Sequence, residues 1–142
     1  MTSLPTTIGL LREVAEQTAD PTSVPPATLF KLYNRLIEAY TNLGEEMCRK
    51  FSAKERSYLA RKIAQAKAYQ GERYKEKISV KDAEMTAMLS VGGEAEKEIE
   101  AAAEYEGYRT LIGSVDRAID FTRSLISYSK YSEKLPSTPY HA

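Results

Sequence analysis

The sequence predicts an all-α protein, a helical hairpin or bundle that ends in a long, heptad-patterned helix and associates with copies of itself. Charged residues make up 28% of the 142-residue chain and Trp is absent, a composition that favours helices around a modest core. Apolar residues recur at steps of three and four through most of the chain, which is helical spacing. Few large apolar residues elsewhere in the chain could cover the longest of these runs. This shortage of partners within the chain predicts self-association.

The N-terminal segment, residues 1–28, is predicted to be weakly structured or arm-like. Its stretch from about Thr7 to Ala19 has the spacing of a short amphipathic helix. Prolines between residues 20 and 27 then interrupt any helix, because proline lacks the backbone N–H that a helix interior needs. At the other end of the chain, residues 135–142 include two prolines and are predicted to form a disordered tail.

Residues 29–134 form the predicted helical domain, which begins with two helices. Thr28 is expected to cap the first, and Gly44 to end or bend it. Ser52 and Glu55 have the spacing of a capping box, which predicts that a second helix starts there.

The next segment is ambiguous, and a short helix follows it. In residues 71–80, apolar residues alternate with lysines, which suits a short strand or an extended loop as well as a helix. Lys81–Ser90 is helical by pattern, with Met85, Met88 and Leu89 as its apolar side. We expect these three residues to lie in the core, with a docking surface for a partner protein as the alternative.

The longest predicted helix runs from Glu94 to about Lys130, after a break at Gly92-Gly93. Its apolar residues follow a heptad pattern that is wider than a two-stranded coiled coil requires. We therefore expect it to pack against more than one neighbouring helix and to hold subunits together. The predicted oligomerisation residues are Tyr105, Tyr108, Leu111, Ile112, Val115, Ile119, Leu125 and Ile126.

Charge is distributed unevenly, although the formal net charge is zero. Residues 49–81 carry an excess of eight positive charges with tyrosines among them, and residues 82–106 are rich in Glu. A basic stripe with interleaved aromatic residues is typical of proteins that contact phosphates and stack bases, which favours single-stranded DNA. A solvent-exposed face balanced by the acidic residues is the alternative. The predicted DNA-binding residues are Arg56, Arg61, Lys62, Lys67, Tyr69, Arg73, Tyr74, Lys75 and Lys77.

Enzyme chemistry is not indicated. The chain has one His, in the predicted tail, and one Cys, so neither a Ser–His–Asp nor a Cys–His arrangement is expected. These counts also exclude a Cys and His zinc site, and the Glu-rich run 94–106 has the spacing of a solvated helix face rather than of a metal site. We predict no catalytic residue, no metal and no cofactor.

The expected location is the cytoplasm, which is the host cytoplasm if this is a phage protein. No apolar run approaches the ~20 residues of a membrane span, and no signal-peptide pattern begins the sequence. The single cysteine suits a reducing compartment.

The order of these segments resembles the UvsY-type recombination mediators of phages. The resemblance covers about residues 60–130 and is carried by AKAY at 66–69 with Gly71, RYK at 73–75, EMTAMLS at 84–90 and AIDFTRS at 118–124. Members of that family are small, mostly helical proteins that form ring-like oligomers, bind single-stranded DNA and help a recombinase displace the single-strand-binding protein. The resemblance implies a DNA-binding segment at Arg61, Lys62, Lys67, Arg73 and Lys75, and an oligomerisation helix over 105–126.

The sequence thus predicts a non-enzymatic, single-stranded-DNA-binding recombination mediator that oligomerises and helps load a recombinase. Its expected partners are single-stranded DNA, copies of itself, a recombinase and a single-strand-binding protein, with no membrane. Two alternatives stay open. One is a phage or bacterial structural or assembly protein whose basic and acidic segments pair between subunits, and the other is a small inhibitor or adaptor that binds a host protein.

Overall fold

A computed structural model describes residues 4–76 and 79–134 of the chain, with side chains at 4–74 and 79–130. These residues form four α-helices and one 3₁₀ turn, and no strand occurs among them. The elements are α1 (Leu4–Gln17), the turn Pro21–Ser23, α2 (Pro26–Glu76), α3 (Val80–Ser90) and α4 (Gly92–Lys134). The predicted all-α class and the long C-terminal helix are confirmed.

The chain divides into two packed units, and α2 and α4 each contribute to both. Unit 1 contains the described residues within Met1–Glu45 and Thr110–Ala142, and unit 2 contains those within Glu46–Arg109. Helix α1 therefore belongs to unit 1, where three of its residues are buried. The N-terminal segment that the sequence suggested to be weakly structured thus contains a 14-residue helix with a buried face.

Unit 1 has an apolar core built from three helices. In α2 the buried residues follow steps of three and four, which places them on one face. The core of unit 1 consists of Leu10 and Val14 of α1, Leu29, Leu32, Leu36, Ala39 and Leu43 of α2, and Val115, Ile119 and Ile126 of α4. A polar contact supports this packing, because the Arg35 Nη1 atom of α2 lies 2.8 Å from Glu13 Oε1 of α1.

Three predictions about where helices begin and end in α2 are wrong, because one helix runs from Pro26 to Glu76. Gly44 lies inside it, since a glycine costs only about 1 kcal/mol in a helix interior and good helix formers surround this one. The capping box is also wrong, because Ser52 and Glu55 sit within the helix. At its start, Pro26 occupies the first helical position, where the missing N–H costs nothing, so Thr28 does not cap it.

Helix α3 confirms the short helix predicted at 81–90, but its buried side differs from the predicted one. The hydroxyl of Ser79 accepts a 3.1 Å hydrogen bond from the Asp82 backbone N–H and so caps the helix. Ala83 and Ala87 are buried, whereas Met85, Met88 and Leu89 are 56%, 62% and 78% exposed. The core assignment of these three residues is wrong, because the alanines four residues apart form the face that packs.

The segment 71–80 is helical as far as Glu76, so the described part of it contains no strand. Residues 77 and 78 lie outside the described residues, as does the tail at 135–142.

The apolar stripe of α4 is covered within the chain where it enters unit 1. Val115, Ile119 and Ile126 are buried in that core, and Leu111, Ile112 and Leu125 are partly buried. Tyr105 and Tyr108 are partly buried in unit 2. The chain therefore supplies the apolar partners that the sequence appeared to lack, and self-association through this stripe stays a prediction.

Candidate nucleic-acid interface

The face of α2 that packs on α4 in unit 2 carries basic residues beside aromatic ones, since the ring centres of Phe51 and Tyr105 lie 5.5 Å apart. Lys50, Lys54 and Arg61 lie on this face, at steps of four and seven residues, and each is partly buried. The Lys50 Nζ atom lies 2.9 Å from Glu104 Oε2, and the Lys54 Nζ atom lies 5.0 Å from the centre of the Tyr105 ring. Three basic residues of the segment 49–81 are thus turned toward α4, and one of them, Arg61, is a predicted DNA-binding residue.

Arg61 is held by two partners. Its Nε donates to Glu98 Oε2 of α4, and its Nη1 donates over 3.2 Å to Gln65 Oε1, one turn along α2. The hydrogen bond with Glu98 raises the pKa of Arg61, and that with Glu104 raises the pKa of Lys50. Because these cations already face carboxylates, they attract a phosphate less than an exposed cation does.

The opposite side of α2 carries a row that we call the outward face, formed by Arg56, Ile63, Lys67 and Tyr74. Successive members are seven, four and seven residues apart, which keeps them on one side of a helix. Arg56 follows Lys54 by two residues and so points about 200° away from it. All four are exposed, and the ring of Tyr74 is 87% exposed. The row spans about 27 Å along the helix axis.

A cavity opens between α2 and α3, which we call the α2–α3 cleft. Its volume is about 460 Å³. Small and aromatic side chains form part of its wall, and polar side chains form the rest. Its lining residues are Lys62, Gln65, Ala66, Tyr69, Gln70, Glu84 and Ala87.

Tyr58 lies between two cations on the same helix. The Lys62 Nζ atom is 5.7 Å from the centre of its ring, and the guanidinium carbon of Arg61 is 5.6 Å from it. A cation at this distance is attracted to the ring face. The ring therefore orients Lys62 at the edge of the cleft.

The predicted DNA-binding residues separate into three groups. Arg56, Lys62, Lys67, Arg73 and Tyr74 are exposed, and Arg61 and Tyr69 are partly buried. Lys77 and the side chain of Lys75 lie outside the described residues.

Sequence reasoning did not identify Gln65, Gln70 and Glu84 as members of the site. Positions 62, 65, 66, 69 and 70 share the spacing of one helix face, and that pattern was readable. The sequence did not show that α3 packs on that face and brings Glu84 to it.

Two acidic residues of α4 form ion pairs inside unit 2, Glu98 with Arg61 and Glu104 with Lys50. Within the residues that the structure describes, no group of three or more His, Cys, Asp or Glu could hold a metal ion. No helix in that part of the chain is long and apolar enough to cross a membrane.

This arrangement suits contact with a flexible anionic chain. The outward face carries cations of the kind that bind phosphates, and Tyr74 and Tyr69 have rings of the kind on which bases stack. No family model, curated protein or solved structure matches the chain.

Proposed function

We propose that this protein binds single-stranded DNA through α2 of unit 2 and acts as a non-enzymatic recombination mediator that helps load a recombinase. The observation that carries the proposal is the outward face, where Arg56 and Lys67 share one side of the helix with the 87% exposed ring of Tyr74. A tyrosine so exposed gains little from the protein's own packing. Stacking of a base on an aromatic ring contributes roughly 1–3 kcal/mol to binding, so a base of the bound strand is a suitable partner for the Tyr74 ring.

Single-stranded rather than double-stranded DNA fits this face. Bases in a duplex are stacked on each other, so rings on a protein surface reach only the bases of an open strand. Contacts to phosphates fix a strand without reading its sequence. A row of about 27 Å with cations and a ring along it is long enough to hold several nucleotides extended.

The expected salt dependence follows from the number of cations on the outward face. Arg56 and Lys67 are proposed to make two phosphate contacts. On single strands each contact contributes about −0.7 to the slope of log K against log salt, so the proposal gives a slope of about −1.4.

The mediator role adds self-association to DNA binding. Copies of the protein held together would place several outward faces along one strand, and weak contacts then add through effective concentration. The resemblance to the UvsY-type mediators supports this part of the proposal. Recombinase and single-strand-binding protein are the partners it implies.

A protein-binding adaptor is the second candidate function. The exposed side of α3, formed by Met85, Met88 and Leu89, supports it, because large exposed apolar residues in one patch are typical of protein contacts. The structural-protein alternative has less support. Lys50 and Arg61 pair with Glu104 and Glu98 inside one chain, which leaves fewer charges for pairing between subunits.

Fluorescence anisotropy with labelled single- and double-stranded oligonucleotides across a salt series tests the proposal. The variant Arg56→Glu/Lys67→Glu reverses two charges on the outward face and should lose most of the affinity for the single strand. The matched control Arg12→Glu/Lys31→Glu makes the same change in charge at exposed residues of unit 1. Equal loss in both variants would show a nonspecific charge effect, and an unaffected outward-face variant would overturn the proposed site.

A further inference from the structure

We propose that the α2–α3 cleft takes one unstacked base of the bound strand, and that it prefers guanine. This inference rests on the proposed function and goes beyond it, because it assigns a base-reading role to Tyr69 and Glu84. The outward face binds phosphates and stacks bases without regard to sequence, whereas the cleft distinguishes one base from another.

The size and walls of the cleft suit a flat heterocycle. Its volume of about 460 Å³ lies within the range of small-molecule sites, which runs from about 300 to 1,000 Å³. The Tyr69 ring supplies a stacking surface, and the methyl groups of Ala66 and Ala87 supply apolar wall. Alanine at both positions leaves the space open that a larger side chain would fill.

The polar groups of the cleft favour a base edge over a phosphate. Glu84 contributes a carboxylate, which accepts hydrogen bonds and repels a phosphate oxygen. Lys62 and the two glutamines contribute donors. Donors and an acceptor in one cleft suit a ligand that carries both, as the edge of a base does.

Gln65 is held in a defined orientation. Its Oε1 accepts the 3.2 Å hydrogen bond from Arg61, so its amide nitrogen is the end that donates to a further acceptor. Arg61 thereby acts as a positioning residue for the cleft, with its own charge engaged by Glu98.

Guanine matches this set of groups better than the other bases. Its N1–H and N2–H₂ are adjacent donors that can both reach the Glu84 carboxylate, while its O6 accepts from an amide or ammonium. Cytosine and adenine each present an amino group beside a ring nitrogen that only accepts. Thymine presents its N3–H between two carbonyl oxygens, which a carboxylate repels. A bidentate contact to a base changes affinity by roughly 5- to 150-fold against the wrong base.

The test measures anisotropy with three labelled oligonucleotides of equal length. One is all thymidine, one carries a single central dG, and one carries deoxyinosine in its place, which lacks the N2 amino group. The wild-type protein should bind the dG strand about 5-fold or more tighter than the thymidine strand, with the inosine strand between them. Equal affinity for all three would overturn the inference.

Variants assign the preference to the cleft. Glu84→Gln keeps the shape but replaces one acceptor oxygen by a donor, so the dG preference should disappear. The control Glu96→Gln removes the same charge from an exposed residue of unit 2 and should keep the preference. Tyr69→Leu should weaken all three strands several-fold, and Tyr69→Phe should not. A Glu84→Gln variant that keeps the full preference would overturn the inference.

The outcomes separate this inference from the proposed function. If the wild type binds no single strand, the proposed function falls and the cleft assignment falls with it. If it binds strands but Tyr69→Leu and Glu84→Gln behave as wild type, DNA binding stands and the base site is refuted.

Photo-crosslinking tests the inference with the wild-type protein and so needs no folded variant. Photo-crosslinking with a single 6-thioguanine in the dG position should label the peptide that spans residues 62–70. Crosslinks found only outside that peptide and α3 would refute the assignment.

Discussion

Ile119 provides the most informative test of the fold. It is 4% exposed in the core of unit 1, although its position in the heptad pattern also suits a contact between subunits. If the side chain is buried inside each chain, Ile119→Ala should cost about 2–5 kcal/mol of unfolding free energy. For a chain of this length the unfolding entropy is roughly 0.3 kcal/mol/K near the midpoint, so a loss of 3 kcal/mol lowers Tm by about 10 °C.

The assay for Ile119→Ala is urea unfolding at two protein concentrations that differ 50-fold. Burial within one chain predicts the same loss relative to wild type at both concentrations, because the contacts of Ile119 are then not made between subunits. Ile99→Ala is the matched control, since Ile99 lies on the same helix but is 69% exposed, and it should change stability by no more than about 0.5 kcal/mol. A loss below about 1 kcal/mol for Ile119→Ala, or one that changes with concentration, would refute the reasoning.

Three further predictions concern single residues. Thr122 is fully buried and its hydroxyl has no hydrogen-bond partner among the described residues, so the nearly isosteric Thr122→Val should stabilise the protein by about 1 kcal/mol in urea unfolding; a loss of stability would contradict this. Arg61→Gln should reduce affinity for single-stranded DNA less than Lys67→Gln in the anisotropy assay, because Glu98 already engages the Arg61 charge; an equal or larger loss would show otherwise. The hydrogen bond from Arg35 lowers the pKa of Glu13 from its ordinary value, so this pair stabilises the fold above the unfolded-state pKa and loses its effect as pH falls through the folded-state pKa. Glu13→Gln should therefore make stability less dependent on pH in the acid range, and an unchanged pH profile would contradict the assignment.

Helix periodicity predicted the positions of most elements. The runs around Leu36 and Ile119 both had helical spacing, and both lie in helices with that face buried. Periodicity did not reveal that these faces of α2 and α4 pack together in unit 1. They lie far apart in the sequence, and their pairing depends on the tertiary fold.

Short sequence motifs for helix ends gave wrong predictions where the residues around them have high helix propensity. The cost of Gly44 is small beside the helix formers on either side, and Ser52 followed by Glu55 matches a capping box by chance within a continuous helix. In α3, hydrophobicity pointed to Met85 and Leu89, yet the small residues Ala83 and Ala87 form the packed face. Alanines give a weak apolar signal, although they let another helix approach closely.

The candidate site was predicted in part. The basic and aromatic residues of α2 were identified from composition, and Arg56, Lys67 and Tyr74 indeed share an exposed face. The pairing of Arg61 with Glu98 and the contribution of Glu84 to the cleft were not readable, because both depend on packing between helices.

The most direct test of the central claim is the affinity of the wild-type protein for single-stranded against double-stranded oligonucleotides of equal length, measured by anisotropy from low to moderate salt. The account predicts tighter binding to the single strand and a slope of log K against log salt of about −1.4. Absence of binding at low salt by the folded protein would contradict it and favour the adaptor function through α3. Equal affinity for both forms would contradict the claim that the protein prefers the single strand.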